Sequence, residues 1–249
     1  MERMKTNEIY LGDARELIKQ VPDKSVDLIV TDPPYDMRSS PLSMGGLLKN
    51  RAKGSYDEIK EMNIYKGFDL SILDEFDRVM RKINIYLWCN KEQVYDYLTH
   101  YVKEKGCNFE LLVWAKNNPP PFFNGHYLKD KEYCLYFWEK GVKPKIAYER
   151  GKTVYVTNTN VYDKDRFMHP TIKPIEIIEN LIRNSTGGGV VLDPFAGSGT
   201  TCLACKHLGI EYIGFEINPK YHKIACDRLQ GWNAKGELDL LDAISEREK

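Results

Sequence analysis

The chain has 249 residues, a length that fits one domain able to bury roughly 70–75% of its unfolded surface. Its 36 basic and 36 acidic residues give a formal net charge of zero, which argues against a protein that coats nucleic acid but allows a local basic face. It contains no apolar run of membrane-spanning length and no charged-then-apolar leader, so we expect a cytoplasmic protein without membrane association.

Short apolar runs alternate with amphipathic segments along the chain, a pattern that predicts a parallel, doubly wound α/β sheet. The first strand is predicted at residues 8–11 and leads through Gly12 and Asp13 into a helix that ends near residue 20. A Gly-Asp pair before a helix is good capping sequence, so helix capping is one interpretation of Asp13.

The second predicted strand, over residues 26–31, runs straight into Asp32-Pro33-Pro34-Tyr35. Because prolines lack an N–H donor and fix φ, the strand must end there, at the edge of an open α/β sheet where ligands bind. The Asp32 carboxylate and a proline carbonyl both accept hydrogen bonds, and an exocyclic amino group offers two donors. The segment therefore suits a site that binds the amino group of a flat ring stacked on Tyr35. The alternative is an ordinary strand-ending turn whose aromatic covers the core edge.

The next segment, residues 36–67, is long, rich in Ser, Gly and Lys, and weakly periodic. Connections of this length are unusual in compact domains unless they are functional or disordered, so we predict a mobile lid or a DNA-contacting loop. Part of it, residues 37–56, has no acid and contains four basic residues: Arg38, Lys49, Arg51 and Lys53. A solvated loop surface is the alternative to phosphate contact by these side chains.

Strands and helices alternate again in the middle of the chain, with helices predicted at 69–81 and 91–105 and strands at 83–89, 109–115 and 132–138. The segment 141–166 follows, in which basic residues outnumber acids and tyrosines are interleaved. It includes a short alternating piece at 153–157. We predict a small β excursion that serves as a short target-recognition segment.

A third strand of interest begins at residue 190, ends in Asp193 and continues as Phe195-Ala196-Gly197-Ser198-Gly199 into a helix that ends near residue 208. Gly197 and Gly199 allow a tight turn and the close approach of a ligand. Cys202 stands where a dinucleotide-binding fingerprint would have its third glycine. Cys202 and Cys205 lie in the predicted helix without a second cysteine pair, which favours core packing over a redox or zinc pair. Helices at 174–185 and 219–229 and a strand at 211–216 complete this half.

The Asp32–Tyr35 and Phe195–Gly199 segments resemble the D/S/N-P-P-Y/F and F-x-G-x-G motifs of DNA amino-methyltransferases, which use S-adenosylmethionine. The catalytic motif precedes the cofactor motif, as in the circularly permuted β group of that family. Residues 169–174, His-Pro-Thr-Ile-Lys-Pro, also match that group, and Glu216 ends the strand after the cofactor loop. The resemblance implies a single domain over residues 1–249 with a Rossmann-like, doubly wound, mostly parallel seven-stranded sheet.

The resemblance also implies roles for individual residues. Asp32 and the carbonyl of Pro33 would accept hydrogen bonds from the target amine in the motif completed by Pro34, and Tyr35 would stack on the flipped base. No metal is required, because the sulfonium is already an activated leaving group. The cofactor would be bound by the glycine-rich loop (Phe195, Ala196, Gly197, Ser198, Gly199 and Thr200), by Asp193 at the methionine amino group, by Glu216 at the ribose, by Asp13 at the adenine amino group, and by Thr171 and Lys173 at the methionine carboxylate.

The sequence thus predicts a site-specific methyltransferase that acts on adenine N6 in double-stranded DNA, because Asp32 favours adenine where cytosine-N4 enzymes more often have serine. The alternatives are cytosine N4, a non-catalytic S-adenosylmethionine-binding subunit of a restriction complex, and methylation of RNA or of protein glutamine. A homodimer partner and a cognate restriction endonuclease are further candidate partners.

Overall fold

The computed structural model describes residues 4–35, 68–119, 127–159, 172–185 and 188–232. Within them the strands are β1 Glu8–Leu11, β2 Leu28–Thr31, β3 Asn84–Cys89, β4 Asn108–Lys116, β5 Lys131–Trp138, β6 Val154–Thr157, β7 Val190–Asp193 and β8 Glu211–Glu216. The α-helices are α1 Ala14–Leu17, α2 Ile72–Val79, α3 Val94–Leu98, α4 Ile175–Ser185, α5 Thr200–Leu208 and α6 Pro219–Leu229. The predicted DNA-contacting loop at 36–67 lies outside the described residues.

The predicted strands and helices are present at or near their expected bounds. The last strand and the last helix, β8 and α6, coincide with the prediction. The strand β2 begins at Leu28 rather than at residue 26, because Val26 makes an isolated bridge to Met80. The helix predicted at 91–105 is divided into α3 and a π-helix at Thr99–Glu104.

The strands form one sheet in the order β1-β8-β7-β2-β3-β5-β4-β6. Neighbours pair in parallel except for β5, which runs antiparallel to both β3 and β4. The mostly parallel sheet is therefore confirmed, but it has eight described strands rather than seven. The additional strand is β6, at the predicted β excursion; it joins the sheet beside β4, since the outer edge of β4 offers backbone groups that need partners.

Helices cover both faces of the sheet, which confirms the doubly wound architecture. On one face, Phe76 of α2 and Tyr101 of the π-helix pack in one core cluster with residues of α1. On the other face, Leu181 of α4 and Cys202 of α5 pack in a second cluster with α6. All residues of β2 are buried, because helices cover both of its faces. The carboxyl edge of the central strands is therefore where a ligand can approach the sheet.

All six cysteines are free thiols, and Cys202 and Cys205 are buried in α5, which confirms their interpretation as core residues. Of the α-helices in the described residues, α4 and α6 are the longest, with 11 residues each. Within the described ranges, no helix is both long enough and apolar enough to cross a membrane.

Candidate active site

Three acidic side chains stand at the carboxyl ends of neighbouring parallel strands. Asp32 follows β2, Asp193 ends β7 and Glu216 ends β8, and these strands are adjacent in the sheet. The Thr31 hydroxyl donates a 2.7 Å hydrogen bond to Asp193 Oδ1, which connects the end of β2 to the end of β7. The structure thus brings the predicted catalytic motif and the predicted cofactor loop together from opposite halves of the chain.

The two oxygens of the Asp32 carboxylate have different surroundings. Oδ2 accepts a hydrogen bond from Lys173 Nζ. Oδ1 is buried and has no hydrogen-bond partner among the described residues. Because a buried polar oxygen without a donor is costly, a ligand that supplies an N–H or O–H group would be stabilised at Oδ1.

Gln93 fixes the backbone of the catalytic motif. This buried residue immediately precedes α3, and its Nε2 donates hydrogen bonds to the carbonyl oxygen of Pro34 and to the hydroxyl of Tyr97, each at 3.2 Å. The pairing of β2 with β3 ends at Thr31, so the ladder offers the Pro34 carbonyl no donor, and the Gln93 amide supplies one instead. Gln93 was not identified from the sequence, since no local pattern relates it to the prolines.

An ionic cluster, here called the Asp32 cluster, consists of Asp32, Tyr35, Lys116, Glu132 and Lys173. Lys173 Nζ lies 3.1 Å from Glu132 Oε2 and 3.4 Å from the Tyr35 hydroxyl. Lys116 Nζ lies 2.5 Å from the other Glu132 oxygen, Oε1. The cluster balances two carboxylates with two ammonium groups, which is the condition for keeping such charges out of water.

Burial and neighbouring charges set the protonation states in the Asp32 cluster. Burial alone would raise the pKa of Glu132, but the charges of Lys173 and Lys116 outweigh it and lower the pKa to about 2. Burial raises the pKa of Asp32 above its ordinary value, while the Lys173 charge opposes that rise and Glu132 adds to it. Burial would lower the pKa of Lys173, but Asp32 and Glu132 together raise it above its ordinary value. Glu132 and Lys173 are therefore both charged at neutral pH.

The glycine-rich loop turns sharply between β7 and α5. Gly197 and Gly199 have φ angles of 54° and 78°, in the left-handed region that glycine adopts most readily. A Cβ atom at Gly199 would lie 3.0 Å from the Cβ of Ala225, so a side chain there would also press against α6. The tight turn predicted from these glycines is confirmed.

Glu216 fastens the glycine-rich loop to the end of β8. Its Oε2 accepts a 2.8 Å hydrogen bond from the backbone N–H of Gly197, and its Oε1 accepts one of 2.7 Å from the N–H of Asn218. The N–H of Ala196 donates to the carbonyl of Phe215 at 2.8 Å. Glu216 therefore has a structural role in addition to the cofactor role predicted for it.

Asp193 is buried at the start of the same loop. Its Oδ1 accepts hydrogen bonds from the Thr31 hydroxyl and, at 3.1 Å, from the N–H of Phe195. Burial raises the pKa of Asp193 to about 6, although these donors and Thr201 oppose the rise. The Asp193 carboxyl group therefore changes from mostly protonated to mostly ionised as the pH rises through about 6.

Arg228 of α6 supports the loop from the other side and was not identified from the sequence. It is buried, and its guanidinium donates to the Thr200 hydroxyl at 2.9 Å and to the carbonyl oxygen of Ser198 at 3.3 Å. Ser198 and Thr200 lie where they were predicted, at the turn into α5. An arginine so far along the chain has no sequence signal that connects it to the loop.

The remaining predicted residues have mixed outcomes. Asp13 accepts a hydrogen bond from the N–H of Arg15 at 2.9 Å and pairs with the Arg15 guanidinium, which confirms the helix-cap interpretation. Its contact with adenine stays a prediction, as does the contact of Lys173 with the methionine carboxylate. The other predicted ligand-binding residues lie outside the described residues: Thr171 of the cofactor set, and Arg38, Lys49, Arg51 and Lys53 of the DNA-binding set.

Known proteins resemble this chain over nearly its whole length. The N6/N4 DNA methylase family model matches residues 26–227. The chain is 29% identical over 236 residues to the type II methyltransferase M2.LlaDCHI of Lactococcus lactis subsp. cremoris, which covers 88% of this chain and 87% of that protein.

Solved structures agree with this match. The M1.HpyAVI–SAM complex superposes with a TM-score of 0.65 at 27% identity, over 89% of this chain and 98% of that one. The cytosine-N4-specific PvuII DNA methyltransferase shares the fold, with a TM-score of 0.66 at 17% identity over 96% of this chain and 91% of that one. The chain therefore belongs to the N6/N4 family of DNA methylases.

Proposed function

We propose that this chain is a site-specific methyltransferase that transfers a methyl group from S-adenosylmethionine to the exocyclic N6 of adenine in DNA. The observation that carries the proposal is the buried Oδ1 of Asp32, which has no donor among the described residues and stands at the carboxyl end of β2. An amino group bound there would supply the missing hydrogen bond.

The chemistry requires two acceptors at one nitrogen. The lone pair of an exocyclic amine is delocalised into the ring, so the nitrogen is a poor nucleophile while it stays planar. Hydrogen bonds from its two N–H groups to Asp32 Oδ1 and the Pro33 carbonyl favour a pyramidal nitrogen whose lone pair can attack. These bonds strengthen as positive charge develops on the nitrogen, so they stabilise the transition state more than the ground state.

The cofactor residues fit the chemistry of S-adenosylmethionine. The cofactor supplies a methyl group on a positively charged sulfur, which needs no metal for activation. The Glu216 oxygens each accept one backbone N–H and retain further acceptor capacity, which suits the two ribose hydroxyls. The Asp193 carboxylate suits the methionine amino group. The proposed site also includes Asp13 and Thr171, with the glycine-rich loop, Phe195 to Thr200, around the methionine end. Lys173 contributes its positive charge to the proposed site near the methionine carboxylate, because its N–H donors face Asp32, Glu132 and the Tyr35 hydroxyl.

Adenine is favoured over cytosine by one residue. Asp32 is the acid that the resemblance associates with adenine N6, where cytosine-N4 enzymes more often have serine. Cytosine N4 is the alternative, since the first residue of the motif does not separate adenine-N6 enzymes from cytosine-N4 enzymes strictly. A subunit without catalytic activity is disfavoured, because Asp32 to Tyr35 forms an intact motif.

Contact with double-stranded DNA would come from two segments. The loop 36–67 contributes four basic residues, and the segment 141–166 has an excess of basic residues among tyrosines. Phosphate contacts from such segments would position the duplex while the target base is flipped toward Tyr35, at a cost of a few kcal/mol for unstacking. A second copy of the chain and a cognate endonuclease stay predictions as partners, and so does a single domain over 1–249.

The proposal is tested by expressing the protein in a host that lacks DNA methylation and mapping modified bases across the genome. We expect N6-methyladenine within one short sequence motif. N4-methylcytosine would replace the adenine assignment with the alternative, and unmodified DNA from cells that contain folded, cofactor-binding protein would contradict DNA methylation itself.

A further inference from the structure

The direction of β5 places an acidic residue, Glu132, in the site, although no sequence motif predicts it. Glu132 is the second residue of β5, which runs antiparallel to β3 and β4. The first residues of β5 therefore lie beside the last residues of its neighbours, with Glu132 opposite Trp114 and Tyr133 opposite Cys89. This is the same edge of the sheet at which β2 ends in Asp32.

The Glu132 carboxylate is shared between the two lysines of the Asp32 cluster. Oε1 faces Lys116 Nζ at 2.5 Å, and Oε2 faces Lys173 Nζ at 3.1 Å. Oε2 also lies 3.4 Å from the Tyr35 hydroxyl, which can donate to it. One side chain thus contacts Tyr35 of the catalytic motif and the lysine that contacts Asp32.

The Lys173 ammonium has a protein acceptor for each of its N–H donors. An ammonium has three N–H donors, and three acceptors lie within reach: Asp32 Oδ2, Glu132 Oε2 and the Tyr35 hydroxyl. Its side chain is 7% exposed, and Nζ lies 5.1 Å from the centroid of the Trp88 ring. Because each donor has an acceptor and the stem is buried, Lys173 has little freedom to move.

The position of Lys173 determines which Asp32 oxygen remains available. An ammonium paired with Asp32 alone could bridge both carboxylate oxygens, and Oδ1 would then be occupied. Glu132 attracts the ammonium to the Oδ2 side, and Oδ1 stays without a partner among the described residues. The orientation of the acceptor for the target amine thus depends on a residue that does not itself lie at Oδ1.

From this geometry we infer that Glu132 is a positioning residue for methyl transfer: it holds the Lys173 ammonium against Oδ2 of Asp32 and leaves Oδ1 directed at the reacting amine. The inference rests on the proposed function. Glu132 acts through Lys173 and Tyr35, the two residues of the cluster through which it reaches Asp32 and the catalytic motif. Lys116 balances the charge of Glu132 and completes the arrangement.

The test is Glu132→Gln, which keeps the shape of the side chain but has one oxygen where the two lysines require two. The single-turnover rate of methyl transfer to a DNA duplex containing the recognition motif should fall roughly 10-fold to 100-fold, the scale of a small misplacement of a reacting group. The dissociation constants for S-adenosylmethionine, by calorimetry, and for the duplex should change less than about threefold.

A matched control is Glu179→Gln. Glu179 also faces two basic groups, His207 and Arg183, and its side chain is 23% exposed, against 21% for Glu132. This control should methylate at the wild-type rate. If Glu132→Gln does not fold, Glu132→Gln combined with Lys116→Gln keeps the numbers of positive and negative charges in the cluster equal, and it should fold and still react slowly.

If folded Glu132→Gln methylates DNA within twofold of the rate of an active wild type, this inference is wrong and the proposed function is unaffected. A loss of rate matched by equal losses of cofactor and DNA binding also overturns it, because that pattern indicates general damage. A wild-type protein that binds cofactor but methylates no DNA contradicts the proposed function, and this inference with it.

Discussion

The hydroxyl of Thr31 donates a 2.7 Å hydrogen bond to the carboxylate of Asp193, across 162 positions of sequence. Thr31 immediately precedes Asp32 of the catalytic motif, and Asp193 lies just before the glycine-rich loop. Both side chains are buried, so water does not compete for the bond. The end of β2 and the end of β7 are therefore held relative to each other, and with them Asp32 and the start of the glycine-rich loop.

The charge of Asp193 should make cofactor binding depend on pH. Burial raises the pKa of Asp193 to about 6, so the carboxylate is mostly ionised at pH 7 and mostly protonated at pH 5. If the ionised form binds the methionine amino group, affinity for S-adenosylmethionine should fall roughly tenfold from pH 7 to pH 5, as the ionised fraction does. Calorimetry at both pH values measures this, and Asp193→Asn should bind weakly with little dependence on pH. If affinity for S-adenosylmethionine falls equally from pH 7 to pH 5 in the variant and in the wild type, a group other than Asp193 causes the pH dependence.

Asp32 should matter for the methyl-transfer step. Asp32→Ala removes the charged acceptor from the reacting amine, so turnover should fall by about 10²–10³, the scale for loss of one preorganised electrostatic partner. DNA affinity should persist, because phosphate contacts supply most of it. Near wild-type turnover would contradict the catalytic assignment.

Tyr35 should instead affect base flipping. Tyr35→Ala removes stacking on the flipped base worth about 1–3 kcal/mol, so the base should leave the duplex less readily. A fluorescent 2-aminopurine at the target position reports this: emission should stay bright with Asp32→Ala and dim with Tyr35→Ala. Equal brightness in the two variants would assign stacking to a different residue.

Arg228 should support cofactor affinity without touching the cofactor. Arg228→Met removes the hydrogen bonds that hold Ser198 and Thr200 at the turn into α5. A hydrogen bond from a charged group contributes about 1.5–3 kcal/mol, so affinity for S-adenosylmethionine should fall about tenfold or more. Calorimetry measures the change, and Arg183→Met on the half-exposed surface of α4 is the control that should bind normally.

The acid-free stretch 37–56 should contribute to DNA binding by neutralising phosphates. Substituting Arg51 and Lys53 with uncharged residues should weaken binding and reduce the slope of log affinity against log salt by roughly 0.9 for each phosphate that is no longer neutralised. Cofactor affinity should not change. Substituting the exposed Lys19 and Lys223, which pair with the nearby acids Glu16 and Asp227, provides a control of equal charge. If DNA affinity depends on salt concentration in the same way for the Arg51 and Lys53 variants and the wild type, these side chains do not contact phosphates and are only solvated.

Several features of this protein follow from the sequence alone, because their cause is local. Two prolines after an apolar run must end a strand, so the position of Asp32 at the end of β2 could be predicted. Glycines at 197 and 199 permit φ angles that other residues avoid, so the turn before α5 could be predicted as well. The alternation of apolar runs with amphipathic segments was sufficient for the doubly wound, mostly parallel sheet.

Tertiary structure decided what depends on strand direction and on contacts between distant residues. Local patterning does not encode whether a strand runs parallel or antiparallel to its neighbours, so the sequence could not show that β5 would bring Glu132 to Asp32. It also could not show that β6 would become an eighth strand beside β4, or that Arg228 would support the glycine-rich loop. These relationships depend on long-range pairing and packing, in which the partner of a charged or backbone group is chosen by the whole fold.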